Sequence, residues 1–201
     1  MLSCCCLEFS VVPEDGDERR LGRRAAIMIV IDPEIRISRG ALPRRALSSF
    51  ARNAKAAVGL EGEVSILLTG DAQLRALNKQ YRRKDKATDV LSFPSAEGEW
   101  GADSPALAGD LAISLETARL QAGEHGHTLF DEVRILLLHG MLHLKGFDHE
   151  TDSGQMARRE NSLRRTFALP NGLIQRTVGK TDAMHPAGKT AHSGSGRGAR
   201  R

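Results

Sequence analysis

A chain of 201 residues, 40% of them apolar, can bury a hydrophobic core, which excludes a fully disordered protein and favours one domain with tails. Aromatic residues make up only 4% of the chain, so that core must be mainly aliphatic. The longest apolar run, 135–144, is too short for a transmembrane helix, which needs about 20 apolar residues, so we expect no membrane partner.

Positive charge is concentrated at the C-terminal end of the sequence. The overall net charge is +4, but six basic residues and one acid from position 176 onward give +5, which leaves −1 for residues 1–175. This segment is rich in Gly, Ser, Lys and Arg and nearly free of apolar residues, so 176–201 is predicted to be a basic disordered tail. The high isoelectric point therefore does not by itself indicate a nucleic-acid-binding core.

Residues 1–25 are predicted to be a flexible leader. They lack the long apolar stretch and cleavage site of a signal peptide, so a cytoplasmic location is expected. Cys4, Cys5 and Cys6 are the only cysteines and are consecutive, so they predict neither a disulfide framework nor a zinc site. Met28 opens the first strand-like run, and translation starting at Met28 is kept as an alternative hypothesis. The folded domain is predicted to span 26–175.

Nine stretches carry secondary-structure signals. Four have the composition of strands, namely 27–31, 64–68, 89–93 and 110–114. Five have helical spacing or helix-start signals, at about 42–54, 71–81, 115–123, 130–144 and 152–167. The stretch 95–105 contains two glycines and is predicted to be a loop.

Three of the helices begin with capping signals, and one ends with a glycine. The starts are Asp71, the pair Thr128-x-x-Asp131 and the pair Asp152-x-x-Gln155. Gly146 stands where a C-terminal cap residue is expected after the helix that ends near residue 144.

Three histidines in the run HGMLHLKGFDH have the spacing of zinc-protease ligands of the H-E-x-x-H-x-x-G-x-x-H type. His139 and His143 are four residues apart, so a helix presents both on one face. Gly146 can turn the chain back so that His149 arrives as a third ligand. Three imidazoles suit one zinc ion with an open fourth position, although nickel and copper remain alternatives. A lone histidine would more often be an ordinary helix residue, but this spacing favours a metal site.

The residue after the first histidine is Gly140, where the protease carries its glutamate base. Peptide hydrolysis of that type is therefore disfavoured. Two nearby acids, Asp110 and Asp148, are candidates for orienting an imidazole from behind the ligands. An equally good interpretation makes them a strand-edge and a turn aspartate.

A second cluster places five cations against one acid between positions 79 and 86. Charge alone favours a solvated loop, but beside a metal site the cluster is a plausible phosphate-facing surface. Arg82 can make a bidentate phosphate contact that a lysine cannot copy. Tyr81, the only tyrosine, is expected to pack in the core, with base stacking as the alternative.

The run YRRKDKATDVLSFP, followed by GDLAIS and HGMLHLKGFDH, resembles the YbeY family of endoribonucleases over roughly 27–169. The resemblance implies a single-domain α+β fold with a small mixed four-stranded sheet packed with about five helices. It also implies one zinc ion held by His139, His143 and His149, with Arg82 as the functional arginine. Lys145 and Phe147 depart from the common family residues but leave the ligand set intact.

The same resemblance implies cleavage of single-stranded RNA, association with the ribosome and its small subunit, 3′-end maturation of 16S rRNA and ribosome quality control. In the mechanism that we expect, zinc binds a phosphate oxygen or activates water while Arg82 stabilises charge on the phosphate. The general base stays unassigned. Two alternatives remain: a non-catalytic zinc-containing ribosome-assembly module, and a metalloprotease-like hydrolase, which Gly140 disfavours.

Overall fold

The computed structural model describes residues 26–38, 40–95 and 107–170. The predicted leader, nearly all of the predicted 95–105 loop and the predicted tail lie outside these residues. Within them the chain forms four strands and five helices, in the order β1 (Ile27–Ile31), α1 (Arg44–Val58), β2 (Glu63–Thr69), α2 (Asp71–Arg82), β3 (Val90–Pro94), β4 (Leu107–Ser114), α3 (Leu115–His125), α4 (Leu129–Leu144) and α5 (Gln155–Thr166).

The strands form one mixed sheet in the order β1-β2-β4-β3. β1, β2 and β4 are parallel, while β3 lies antiparallel to β4 at the edge of the described sheet. Parallel neighbours need crossover connections, and α1 and α2 lie in the two crossovers. The predicted single-domain α+β fold with a small mixed four-stranded sheet and five helices is confirmed.

The sheet has a large core on one face and a small one on the other. The large core joins α1, α3, α4 and α5 to the sheet and includes Leu111. The small one is built by α2 with Leu91 and Ala112. Because side chains alternate along a strand, Leu111 and Ala112 lie on opposite faces, which places α2 across the sheet from α4.

Helix α4 is the central helix of the large core, since eleven of its sixteen residues are buried. Its start confirms the predicted capping box: the Thr128 hydroxyl accepts the Asp131 N–H at 3.1 Å, and the Asp131 carboxylate accepts the Thr128 N–H at 3.4 Å. This double cap satisfies N–H groups that a helix start otherwise leaves unpaired.

The other two predicted caps differ from the structure. Asp71 is not the N-cap of α2, which is Gly70; its carboxylate instead accepts hydrogen bonds from the Ser114 and Thr117 hydroxyls. Those hydroxyls lie 43 and 46 residues away in sequence, so no local signal announced them. Helix α5 has Gly154 at its N-cap, although the Asp152 carboxylate does accept the N–H groups at the helix start.

Candidate metal centre and adjoining basic segment

His139 and His143 lie one helical turn apart on the C-terminal half of α4. Their Nε2 atoms are 3.1 Å from each other, and with His149 they form a group whose potential ligand atoms all lie within 4.8 Å. Two nitrogens bound to one tetrahedral zinc at about 2.0–2.1 Å would lie about 3.4 Å apart. The donor chemistry of three imidazoles suits a zinc ion, the His139–His143 spacing is close to that of two bound ligands, and the three predicted ligands come together.

The end of α4 brings His149 to the other two histidines. Gly146 has a φ of 93°, and its N–H donates to the His143 carbonyl at 2.9 Å, while the Phe147 N–H donates to the Leu142 carbonyl at 3.0 Å. This pair of bonds is a Schellman motif, which needs a left-handed residue where Gly146 stands. The predicted role of Gly146 is confirmed. The turn explains how His149, six residues after His143, reaches the two histidines on α4.

The electrostatics keep His143 ready to bind a cation. Burial lowers the pKa of His143 from 6.5 to about 4, and the neighbouring His139 and His149 add to this shift. A hydrogen bond with the Phe147 backbone and the charge of Asp148 oppose it. His143 is therefore neutral at pH 7, which is the protonation state that a metal ligand requires.

Asp148 acts as a turn residue in the segment that carries His149. Its carboxylate accepts the Glu150 N–H at 3.0 Å and the Thr151 hydroxyl at 3.0 Å. These two bonds, the first being the larger effect, lower the pKa of Asp148. Asp148 thus fixes the ligand-bearing turn and places a negative charge beside it, and the turn interpretation fits better than direct orientation of an imidazole.

Asp110 does not lie behind the histidines. It precedes Leu111 on β4, and Leu111 belongs to the core shared with α4. By alternation the Asp110 side chain therefore lies on the opposite face, where it is hydrogen-bonded to Ser65 of the neighbouring strand. Of the two interpretations of Asp110, the strand aspartate therefore fits the structure, because alternation along β4 turns its side chain away from α4.

Glu160, which the sequence patterns did not point to, is the carboxylate that lies behind His139. Its Oε1 lies 3.5 Å from Nδ1 of His139, and only 2% of Glu160 and 6% of His139 are exposed. The available signal was its spacing in α5, where Met156, Glu160 and Leu163 are all buried and share one face. A glutamate within an apolar stripe is rare unless it is paired.

Gly140 lets α4 approach the sheet closely. A Cβ added at this position would lie 2.8 Å from Leu111 Cδ2 and 3.3 Å from both Ser92 Oγ and Val90 Cγ2. The Ser92 hydroxyl also donates to the Gly140 carbonyl at 3.2 Å. A side chain at position 140 would therefore enter the sheet, so a glutamate base of the protease type has no room there.

The basic segment, Lys79–Lys86, contains an ion-paired part and an unpaired part. Asp85 binds Arg75 at 2.6 Å and Lys79 at 3.0 Å, and these two bonds lower the pKa of the Asp85 carboxyl. Among the residues that the structure describes, Arg82 has no ion-pair partner and is exposed at the end of α2. It is therefore free to bind an anion.

Tyr81 does not pack in the core as predicted, because 49% of it is exposed. Its ring instead contacts the ring edge of Phe93 on β3, with a centroid distance of 5.1 Å. The contact holds the aromatic ring at the surface next to Arg82.

Arg82 and the histidine cluster lie at the same end of the sheet but on opposite faces. The Tyr81–Phe93 contact fixes the end of α2 near the end of β3, where Pro94 pairs with Gly109. From the other face, Leu144 at the end of α4 approaches Gly109, with its Cδ2 2.9 Å from where a Cβ would lie. The edge strand β3 thus lies between the end of α2 and the end of α4.

Taken together, the fold and the histidine cluster define a single-domain α+β protein with a candidate metal centre. Residues 35–168 match the family model described as Endoribonuclease YbeY. The chain is 50% identical over 135 residues to the Endoribonuclease YbeY of Koribacter versatilis (strain Ellin345), covering 67% of this chain and 84% of that protein. It is 52% identical over 135 residues to the Endoribonuclease YbeY of Solibacter usitatus (strain Ellin6076), covering 67% and 86%.

A match among solved structures is the solution structure of TM1509 from Thermotoga maritima, with a TM-score of 0.46 and 21% identity over 82% of this chain and 99% of that one. The family model and the two relatives decide the assignment: the chain belongs to the endoribonuclease YbeY family, as its three motifs predicted.

Proposed function

We propose that this chain is a single-strand-specific, zinc-dependent endoribonuclease that acts in 3′-end maturation of 16S rRNA and in ribosome quality control. Membership of the endoribonuclease YbeY family supports an enzyme that cuts RNA. The observation that carries the proposal is the convergence of His139, His143 and His149, whose ligand atoms lie within 4.8 Å of one another. Such a centre suits hydrolysis of a phosphodiester, in which charge on phosphate oxygens must be stabilised.

The histidines hold the metal, and the turn after α4 keeps them in place. When bound, a zinc ion supplies a Lewis acid that polarises a phosphate oxygen or activates water. His143 enters this role without losing a proton at pH 7, because its pKa of about 4 leaves it neutral. The Schellman turn and the bonds of Asp148 hold the segment that carries His149, so little ordering is left for the binding step.

Arg82 is proposed as the catalytic cation that contacts the phosphate. Its guanidinium is exposed and free of ion pairs with any described residue, whereas Lys79 is held by Asp85. A guanidinium presents a planar fork that matches two phosphate oxygens.

The test compares Arg82→Ala with Lys84→Ala. Both remove one exposed cation of the basic segment. Arg82→Ala is expected to lose about 10²–10³-fold in cleavage rate while keeping its zinc. Lys84→Ala should lose much less. Equal small losses on a single-stranded RNA would remove the specific role of Arg82.

A non-catalytic ribosome-assembly module is the second candidate, favoured only if the metal is structural. Removing the metal distinguishes an endoribonuclease from an assembly module. The enzyme loses cleavage on chelation while its aliphatic core keeps it folded. An assembly module instead unfolds or loses ribosome binding and never cleaves RNA.

A metalloprotease is the less favoured candidate, because position 140 has no room for a glutamate base. Digestion of casein with and without chelator tests it directly. Chelator-sensitive release of peptides would support a metalloprotease.

The proposed partners are single-stranded RNA, ribosomal RNA and the small ribosomal subunit, in the cytoplasm. Among the residues that the structure describes, no helix is long and apolar enough to cross a membrane. Cosedimentation with small subunits at several salt concentrations tests the proposed association.

A further inference from the structure

The buried pair formed by Glu160 and His139 involves two atoms that no other contact explains. Oε1 of Glu160 and Nδ1 of His139 face each other at 3.5 Å, and neither has a hydrogen-bond partner among the described residues. A buried carboxylate oxygen or ring nitrogen left without a partner costs free energy. Two such atoms opposite each other therefore point to one interaction that is completed when the site is in use.

The two nitrogens of His139 have separate directions. Nε2 lies 3.1 Å from Nε2 of His143, toward the ligand cluster, while Nδ1 is turned toward α5 and Glu160. A neutral imidazole carries one proton and one lone pair, so a proton on Nδ1 leaves the lone pair on Nε2. An acceptor beside Nδ1 selects that tautomer.

We propose that Glu160 is a positioning residue that accepts a hydrogen bond from Nδ1–H of His139 and thereby holds the ring with Nε2 toward the metal. This inference rests on the metal centre of the proposed function and adds a partner from a different helix. A carboxylate behind a ligating histidine fixes the ring and raises its basicity, and removing such a partner typically lowers metal affinity about 10–100-fold.

The position of α5 makes this contact part of the fold. Asp152 accepts the Met156 N–H at 2.6 Å, and Met156 and Leu163 flank Glu160 on the buried face of the helix. The chain that leaves α4 thus supplies His149 in the turn and then returns Glu160 behind His139. One continuous segment after α4 provides both a ligand and the support of another ligand.

The first measurement is zinc affinity, determined by competition with a chromophoric chelator. Glu160→Leu removes the acceptor and is expected to weaken zinc binding about 10–100-fold, and Glu160→Gln, which keeps an oxygen acceptor, should weaken it less. The control is Glu124→Gln, an exposed glutamate on α3, which should bind zinc like the wild type. Wild-type affinity in both Glu160 variants would overturn the inference.

A second measurement separates positioning from a merely structural role. Long-range ¹H–¹⁵N NMR of the metal-free protein should find His139 protonated on Nδ1 in the wild type and should find that preference lost in Glu160→Leu. Because leucine leaves the buried Nδ1–H of His139 without an acceptor, that variant should unfold at a somewhat lower denaturant concentration, and a merely structural role would lower stability without changing the tautomer of His139. If it does not fold, Glu160→Gln carries both measurements.

Different results would contradict the metal centre and the Glu160–His139 contact. A wild-type protein that takes up no zinc contradicts the metal centre, whereas the tautomer of His139 in the metal-free protein still decides the Glu160 contact. An Nε2-protonated His139 in the wild type would overturn the inference whatever the zinc result.

Discussion

Replacing Gly140 with alanine is expected to destabilise the protein relative to a matched glycine replacement elsewhere. The added Cβ would lie 2.8 Å from Leu111 Cδ2, and Leu111 is 1% exposed, so its side chain has little room to move away. Overpacking of this kind typically costs about 1–3 kcal/mol. Against this, alanine is more favourable than glycine inside a helix by about 0.8–1.0 kcal/mol.

The matched control is Gly123→Ala in α3, because nothing lies within 4 Å of a Cβ added there. That variant should gain up to about 1 kcal/mol from helix propensity alone. The difference between the two variants isolates the packing cost at Gly140, so we expect it to be about 1–3 kcal/mol.

Urea unfolding of both variants and the wild type, in the presence of chelator, measures this difference without a contribution from bound metal. The midpoint should fall for Gly140→Ala relative to Gly123→Ala, with similar slopes. Zinc affinity should also decline, since α4 must shift to admit the methyl group and it carries His139. Two variants of equal stability would refute the close approach of α4 to the sheet.

Three further predictions concern the strand contact at Gly109, the pH response and the tail. Gly109→Ala should destabilise strongly, because its φ is 137° and a Cβ would lie 2.3 Å from the Phe93 carbonyl oxygen; an unfolding midpoint unchanged from wild type would contradict this. In the metal-free protein His143 stays neutral in the folded state but becomes protonated in the unfolded chain, so the free energy of unfolding should fall as the pH drops from about 6.5 to about 4. That one proton changes the free energy by at most about 1.4 kcal/mol per pH unit. A His143→Gln variant with the same pH dependence would rule out this role of His143. Deleting 176–201, which carries a net charge of +5, should weaken RNA binding and flatten its salt dependence, and identical salt slopes for both proteins would mean that the tail takes no part.

The features that were predicted correctly are local in sequence. The shared face of His139 and His143 on α4 follows from helix periodicity, and the capping box at Thr128 and the turn at Gly146 are read from residues three or four positions apart. The order of strands and helices follows from the same short-range patterns, with ends displaced by a few residues.

The features that were missed depend on contacts between distant segments. Asp71 binds hydroxyls on α3 and at the end of β4, and Glu160 meets His139 across a helix interface. Asp110 has a spacing that fits either face of its strand until the neighbouring strands are known. Tyr81 is held at the surface by a ring on β3 rather than by the core.

His139, His143 and His149 are proposed to form a metal centre that cuts RNA. Its most direct test is metal analysis of the purified protein together with cleavage of a fragment from the 3′ end of small-subunit rRNA, for the wild type, His143→Ala and Arg82→Ala. We expect one zinc per chain and chelator-sensitive cleavage in the wild type, loss of both zinc and cleavage in His143→Ala, and zinc without efficient cleavage in Arg82→Ala. Cleavage by His143→Ala at the wild-type rate, or full zinc occupancy in that variant, would contradict the claim.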